Sequence, residues 1–393
     1  MEGKRLIQRM TLQNFLSFGK EGVSLEMLPL NVLIGPNGSG KSNLIESFAV
    51  LRATALDLPA VFRAGGGVSE YTWKGADAAG ITKVGAVIES PFREIFYDIA
   101  WTTVRNRLEV TDEAISRAPA SPIGTPEALF EIEGSVALIR PSSDPQKKLR
   151  GIRRSELAND QSILSQRKDP DQYPELTHLG SQFAQITIFQ DWTFGRRTQA
   201  RAPQATDLPV DFLLPDGSNL VLVLHGLLQQ RETEEKLVEN LRRFYQSAQR
   251  IRTGLQGGRI ELVIEEEGNV RIPGARLSDG TLRYLSLLAI LLHPSPPPLI
   301  CIEEPELGLH PDIMPTIAEL LRDASQRTQL VVTTHSDALV SALSDVPESV
   351  VVCESSPDGT LLRRLDREAL AEWLNRYSLG EIWRMGEIGG TRW

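Results

Sequence analysis

Cysteine is scarce: the 393 residues contain two, Cys301 and Cys353, each inside an apolar, strand-like run. That is too little for a disulfide framework, and it reads as two buried free thiols in a reducing compartment. Long apolar runs are missing too. None approaches the roughly 20 residues a membrane helix requires, and the greasiest pieces, 220–228 and 285–292, contain His225 or Ser286. Met1-Glu2-Gly3-Lys4-Arg5 leads into a strand-like segment with no signal-peptide core, so a cytoplasmic location is expected. Nor is there an excess of positive charge: 42 Lys and Arg face 51 Asp and Glu, for a net −9. This excludes a chain coated in basic surface for wrapping nucleic acid, though not a local basic groove. The densest basic runs, 147–154 and the trio Arg196, Arg197 and Arg201, read as solvated loops.

What the chain does have is Gly35-Pro36-Asn37-Gly38-Ser39-Gly40-Lys41-Ser42, a match to the phosphate-binding pattern G-x-x-x-x-G-K-[ST]. The apolar run Leu30–Ile34 predicts a strand feeding the loop, and 43–51 predicts a helix leaving it, which is the context the motif needs. The glycines let backbone N–H groups turn inward around a di- or triphosphate, and the helix N-terminus adds partial positive charge. In such a loop Lys41 reaches the β- and γ-phosphates and the Ser42 hydroxyl sits on Mg²⁺. A nucleotide is expected to bind here.

The remaining sequence predicts an α/β chain. Residues 4–34 alternate as a β-meander, and strands at 84–89, 95–101 and 103–110 are linked too briefly to be other than antiparallel. Residues 111–182, rich in Pro, Ser, Asp and Arg, read as loops and short helices of a surface lobe. A strand is expected at 185–190. A helical hairpin is expected over 217–251, with Leu237, Val238, Leu241, Phe244, Tyr245 and Ala248 as its packing face. Gly268-Asn269 marks a small β-hairpin. Thereafter helices at 282–292, 313–321 and 338–343 alternate with strands at 299–302, 330–332 and 350–352. The expected organisation is 1–110 as one half of a nucleotide-binding core with an antiparallel β lobe, 111–258 as an inserted loop and helical lobe, and 259–393 as the second half.

Three segments of that second half bear on chemistry. Ser278 in Leu277-Ser278-Asp279-Gly280 is a good cap for the helix that follows. Glu303 and Glu304 leave a buried strand, where paired carboxylates call for a cation. Thr333-Thr334-His335-Ser336 puts a polar tip at the C-terminal end of another strand, the edge where open α/β sheets bind ligands.

Taken in order, these motifs resemble those of ABC-type ATPases, and more narrowly the small ATPases related to RecF, SMC proteins and OLD-family nucleases. The resemblance rests on Asn14-Phe15-Leu16-Ser17-Phe18, the phosphate loop, Leu277–Thr281, Glu303-Glu304-Pro305-Glu306-Leu307-Gly308-Leu309-His310-Pro311, and Thr334-His335-Ser336. It covers both ends of the chain well and the middle poorly. The run 189–194, Phe-Gln-Asp-Trp-Thr-Phe, is also similar to a segment of that group. The resemblance implies a P-loop NTPase with an ABC-ATPase-like core that takes ATP and Mg²⁺. Gly35 to Ser42 would hold the phosphates, with Lys41 contributing to catalysis. Ser42 and Glu303 would serve the metal, Glu304 would orient or deprotonate the attacking water, and His335 would contact the γ-phosphate. Ser278 and Gly280 would bind the γ-phosphate held by a second copy, and 307–310 would form the D-loop near that interface. Glu303 departs from the aspartate usual in this class. The Q-loop glutamine is not identified, Gln185 and Gln190 being candidates.

The expected function is an ATP-hydrolysing switch that dimerises on ATP and acts on nucleic acid or on a separate effector, in DNA maintenance or antiphage defence. The alternative is a scaffold whose slow hydrolysis times the release of a protein partner. The few residues after His335 leave no room for a fused Toprim nuclease, so an effector is expected on another polypeptide. The lobe between phosphate loop and signature, together with the lack of a membrane segment, argues against a transporter motor.

Overall fold

The structure is a computed structural model that describes residues 3–75, 80–119, 124–133, 136–141, 149–196 and 198–390. Lys147, Lys148 and Arg197 of the basic runs lie outside the described residues. The chain divides into two compact units, one built chiefly from Arg5–Ile186 and Val351–Leu365, the other chiefly from Thr187–Val350 and Asp366–Glu387.

In the first unit an eight-stranded antiparallel sheet runs in the order Val23–Glu26, Ile7–Gln13, Thr82–Ile88, Ile95–Val104, Arg107–Arg117, Glu127–Glu133, Val136–Ile139, Arg150–Arg153. Alternation along its strands puts Ile95, Tyr97, Ile99 and Trp101 in the core. The strand expected at 103–110 is instead interrupted. Arg105 and Asn106, both left-handed with φ of 50° and 63°, make a two-residue turn between the strands ending at Val104 and starting at Arg107. Three strands within 111–182 extend the sheet where the sequence suggests only loops and short helices. They are short and lie among turn-forming residues, and pairing rather than local pattern defines them.

Also in this unit, Leu30–Ile34 is buried at all five positions, as a strand covered on both faces must be. It lies beside Val350–Ser356, which pairs antiparallel with Gly359–Arg364. The helix Lys41–Thr54 leaves the loop after Leu30–Ile34 and buries Leu44, Ile45, Phe48 and Leu51.

The second unit has a parallel sheet of Thr187–Phe189, Leu299–Glu303 and Gln329–Thr333. Helices Asp279–Leu291, Met314–Ala324 and Asp337–Ser341 accompany it. The expected helical hairpin is present as Leu220–Leu228 and Arg231–Phe244, with Leu237 and Leu241 buried and Phe244 stacked 4.8 Å from Tyr284. It stops at Phe244, and Ala248 begins the strand Ala248–Gln256, which pairs along Arg259–Glu266. There strand pairing replaces the expected helical period, and a register shift between Ala248 and Arg250 lets Ala248 and Ile251, three positions apart, both be buried. Arg259–Glu266 also pairs with Arg271–Pro273 across the turn at Gly268-Asn269.

Near the end of the chain, a capping box of Ser378 and Glu381 starts the helix Leu379–Met385. This helix buries Leu379, Ile382 and Trp383. Both cysteines are free and buried, and burial raises both thiols, Cys353 to about 12. Among the described residues no helix is long and apolar enough to cross a membrane.

Candidate functional site

The first unit carries the phosphate loop, and glycine is required at its bends. Gly35, Gly38 and Gly40 have φ of 147°, 77° and 99°. A Cβ on Gly35 would fall 2.2 Å from the Cys353 carbonyl oxygen, and one on Gly40 2.3 Å from Thr360 Oγ1. The Thr360 hydroxyl reaches both Ser17 Oγ, at 2.7 Å, and the Ser39 carbonyl, at 3.0 Å. Ser17 comes from the turn Asn14-Phe15-Leu16-Ser17-Phe18, where Asn14 and Leu16 are left-handed and Phe15 and Phe18 are fully buried. That turn is thus a buttress beneath the loop. Lys41 Nζ is buried and donates to the carbonyls of Gly35, at 2.8 Å, and Pro36, at 2.9 Å. The helix that Lys41 opens has neither a side-chain cap nor an acidic residue in its first turn. Its N–H groups and positive end are therefore available to an anion. Ser42 is exposed, and Ser39 Oγ is buried without a hydrogen-bond partner. This donor-rich, carboxylate-free cradle fits a nucleotide phosphate.

The acidic strand end lies in the second unit. Glu303 closes Leu299–Glu303, opposite Thr333 of the neighbouring parallel strand. Glu304 follows with φ 44°, a left-handed backbone that costs a side-chain-bearing residue about 1–2 kcal/mol. Its N–H donates to the Thr333 carbonyl at 3.0 Å, which holds the turn. The turn brings Glu304 Oε1 to 3.6 Å from His335 Nε2, with both side chains part-exposed. Glu306, an unassigned member of the acidic motif, fixes the facing loop: its Oε1 accepts from His335 N–H and Thr334 Oγ1, both at 2.7 Å. Burial raises the Glu306 carboxyl above its ordinary value. Among the described residues no group of three or more His, Cys, Asp and Glu could hold a metal.

Also in this unit, Ser278 caps Asp279–Leu291, accepting from the Thr281 N–H at 3.0 Å. Gly280 lies against 307–310, where an added Cβ would be 3.0 Å from the Gly308 carbonyl oxygen. Arg201 is largely buried rather than solvated: it donates to the Leu277 carbonyl and pairs with the Asp279 carboxylate, locking the turn that precedes Asp279–Leu291. The segment 189–194 also gains a role. Trp192 stacks between Phe189 and Phe194, and its indole N–H donates to the Glu303 carbonyl at 3.1 Å. Of the Q-loop candidates, Gln185 belongs to the first unit, where its amide donates to Ser181, and Gln190 follows the edge strand Thr187–Phe189 of the second.

The family model AAA_21, described as "AAA domain, putative AbiEii toxin, Type IV TA system", matches residues 30–341. The chain belongs to this AAA-domain family. The fold of this AAA-domain chain is similar to solved SMC heads. One is an SMC head bound to the C-winged helix domain of ScpA, with TM-score 0.57, 14% identity, and 93% of this chain and 99% of that one covered. Another, from Pyrococcus furiosus, is an SMC head with an extended coiled coil bound to the C-terminal domain of ScpA, with TM-score 0.56, 14% identity, and 94% and 98% covered. No curated protein matches in sequence. The expected class, an ABC-type P-loop ATPase fold of the SMC-like group, is thereby borne out.

Proposed function

We propose that this AAA-domain protein binds ATP with Mg²⁺, hydrolyses it, and dimerises while ATP is bound. In this reading the loop from Gly35 to Ser42 binds the triphosphate, with Lys41 exchanging its loop carbonyls for phosphate oxygens. Bound Mg²⁺ would neutralise phosphate charge, with Ser42 and Glu303 on its side. Glu304 orients or deprotonates the attacking water, and His335 stabilises the γ-phosphate. Ser278 and Gly280 meet the nucleotide of a second copy. The observation that carries the reading is Glu304, kept in a strained backbone beside His335 at the C-terminal ends of two parallel strands.

The output is a switch exerted on nucleic acid or on a separate effector. A protein effector is favoured by one observation, the exposed aromatic pair Trp373 and Tyr377. The SMC heads of like fold carry a bound ScpA domain, which supports the same choice. The test is phosphate release from ATP with Mg²⁺ or with EDTA, alongside light scattering with a slowly cleaved analogue. Mg²⁺-dependent turnover and an analogue-induced doubling of mass are expected, and Lys41→Ala should lose both. A wild type that neither cleaves ATP nor changes mass removes the proposal.

A further inference from the structure

Arg283 lies in the second turn of the signature helix and is 5% exposed. Burying a guanidinium costs several kcal/mol unless its donors are well used, and here they are not all used: Nε is buried without a hydrogen-bond partner. Burial pulls its pKa down, opposed by the nearby charges of Glu306 and Glu304. What Arg283 does have is a set of contacts that converge on the acidic strand end. Its Nη1 donates to the Leu307 carbonyl of the D-loop. Its guanidinium lies 5.2 Å from the Trp192 ring centroid and 5.9 Å from that of Phe194, within cation–π range. Trp192 in turn holds the backbone carbonyl of Glu303, the residue before Glu304. Five residues before Arg283 on the same helix is Ser278.

The geometry points to Arg283 as a positioning residue that ties the signature helix to the backbone presenting Glu304, through the Leu307 carbonyl and the Trp192 indole. This rests on the reading of Glu304 and Ser278 given above and adds a consequence. A displacement of the signature helix when Ser278 meets a second copy's nucleotide is transmitted to Glu304 of the same chain. Each copy thereby adjusts its own water-activating carboxylate to the occupancy of its partner's phosphate loop.

Arg283→Lys tests this, because lysine keeps the charge and most of the length but loses the planar stacking face and the directed fork. In the full chain, affinity for a fluorescent ATP analogue should stay within about twofold and thermal midpoint within about 2 °C, since each lies outside the coupling. ATP-dependent dimerisation, read in an Arg283→Lys/Glu304→Gln background, should also persist. Turnover should fall on the order of 100-fold with KM little changed, the scale of a small misplacement of a catalytic group. Trp192→Phe, which keeps an aromatic face but lacks the indole N–H, should lower turnover less and add no further loss to Arg283→Lys. Arg283→Lys turning over as fast as an active wild type removes the inference and leaves the site reading intact. Loss of stability or dimerisation in proportion to turnover also overturns it, making Arg283 a structural residue. A wild type that hydrolyses no ATP removes the site reading and the inference together.

Discussion

His335 Nε2 stands 3.6 Å from Glu304 Oε1, each carried on the segment that leaves one of two adjacent parallel strands. Neither position is loose. Glu304 is held left-handed by the Thr333 carbonyl, and the His335 backbone is held by Glu306. Glu304→Gln preserves shape while removing the base, so it should bind ATP normally and accumulate as the ATP dimer. Hydrolysis should fall by about 10²–10⁴-fold, the range for losing a general base. Single-turnover phosphate release checks this, and a wild-type rate would take Glu304 out of that role.

Two of the three glycine bends of the phosphate loop make a paired prediction. Gly38 and Gly40 both have positive φ, but a Cβ on Gly38 meets nothing within 4 Å, whereas one on Gly40 strikes Thr360 and Ser17. Gly38→Ala should cost only the backbone strain, about 1 kcal/mol, and keep nucleotide affinity within about tenfold. Gly40→Ala must shift the loop and should abolish measurable binding. Calorimetric titration with MgATP distinguishes them, and equal behaviour would mean that the buttress of Ser17 and Thr360 does not set the loop's shape.

Glu113 is buried in the first unit, where it accepts from Tyr97 Oη at 2.9 Å, Ser162 Oγ at 2.5 Å and the Ile163 N–H at 2.9 Å. Burial nevertheless prevails and raises its pKa from the ordinary 4.5 to about 6. The folded chain then holds this proton more tightly than the unfolded chain. Its contribution to stability is full below pH 4.5 and is lost as pH rises through about 6, by about 2 kcal/mol. Glu113→Gln, which does not titrate, should gain about that much relative to wild type between pH 4.5 and pH 7. Urea unfolding at the two pH values measures it, and parallel pH curves would assign the carboxyl an unshifted pKa.

Much of this was legible because local chemistry and tertiary role coincide. Glycines at positive φ before Lys41, largely apolar strands at Leu30–Ile34 and Leu299–Glu303, and polar residues at strand ends all state their purpose in the sequence. The rest depends on partners distant in the chain. Arg201 reads as a solvated loop cation because Leu277 and Asp279, which bury it, are 76 and 78 positions away. Thr360 is 321 positions from the Ser39 carbonyl it touches. Strands such as Arg150–Arg153, with no buried residue, carry no alternation to read and exist through pairing with Val136–Ile139. Glu306 was the reachable omission: a third carboxylate one proline beyond the Glu303–Glu304 pair invited a role.

Ser278 offers a way to separate helix capping from contact with a second copy. Its hydroxyl accepts the Thr281 N–H at 3.0 Å and lies 2.8 Å from Thr281 Oγ1, so a capping role alone would explain its presence. Aspartate caps as well as serine, and its charge favours a helix N-terminus. Ser278→Asp should therefore keep the stability of the fold within about 1 kcal/mol. Against a triphosphate the same charge is repulsive, so ATP-dependent dimerisation and turnover should be lost while nucleotide binding to the variant's own loop is unchanged. Lys41→Ala is the reciprocal variant, with an intact Ser278 and a disabled loop. Mixed, the two inactive proteins can assemble one site in which the sound loop of the first meets the sound serine of the second. Partial recovery of hydrolysis on mixing is the expected result, read as phosphate release against each variant alone. If Ser278→Asp by itself dimerises and hydrolyses like wild type, the serine is only a cap and the two copies do not share their sites.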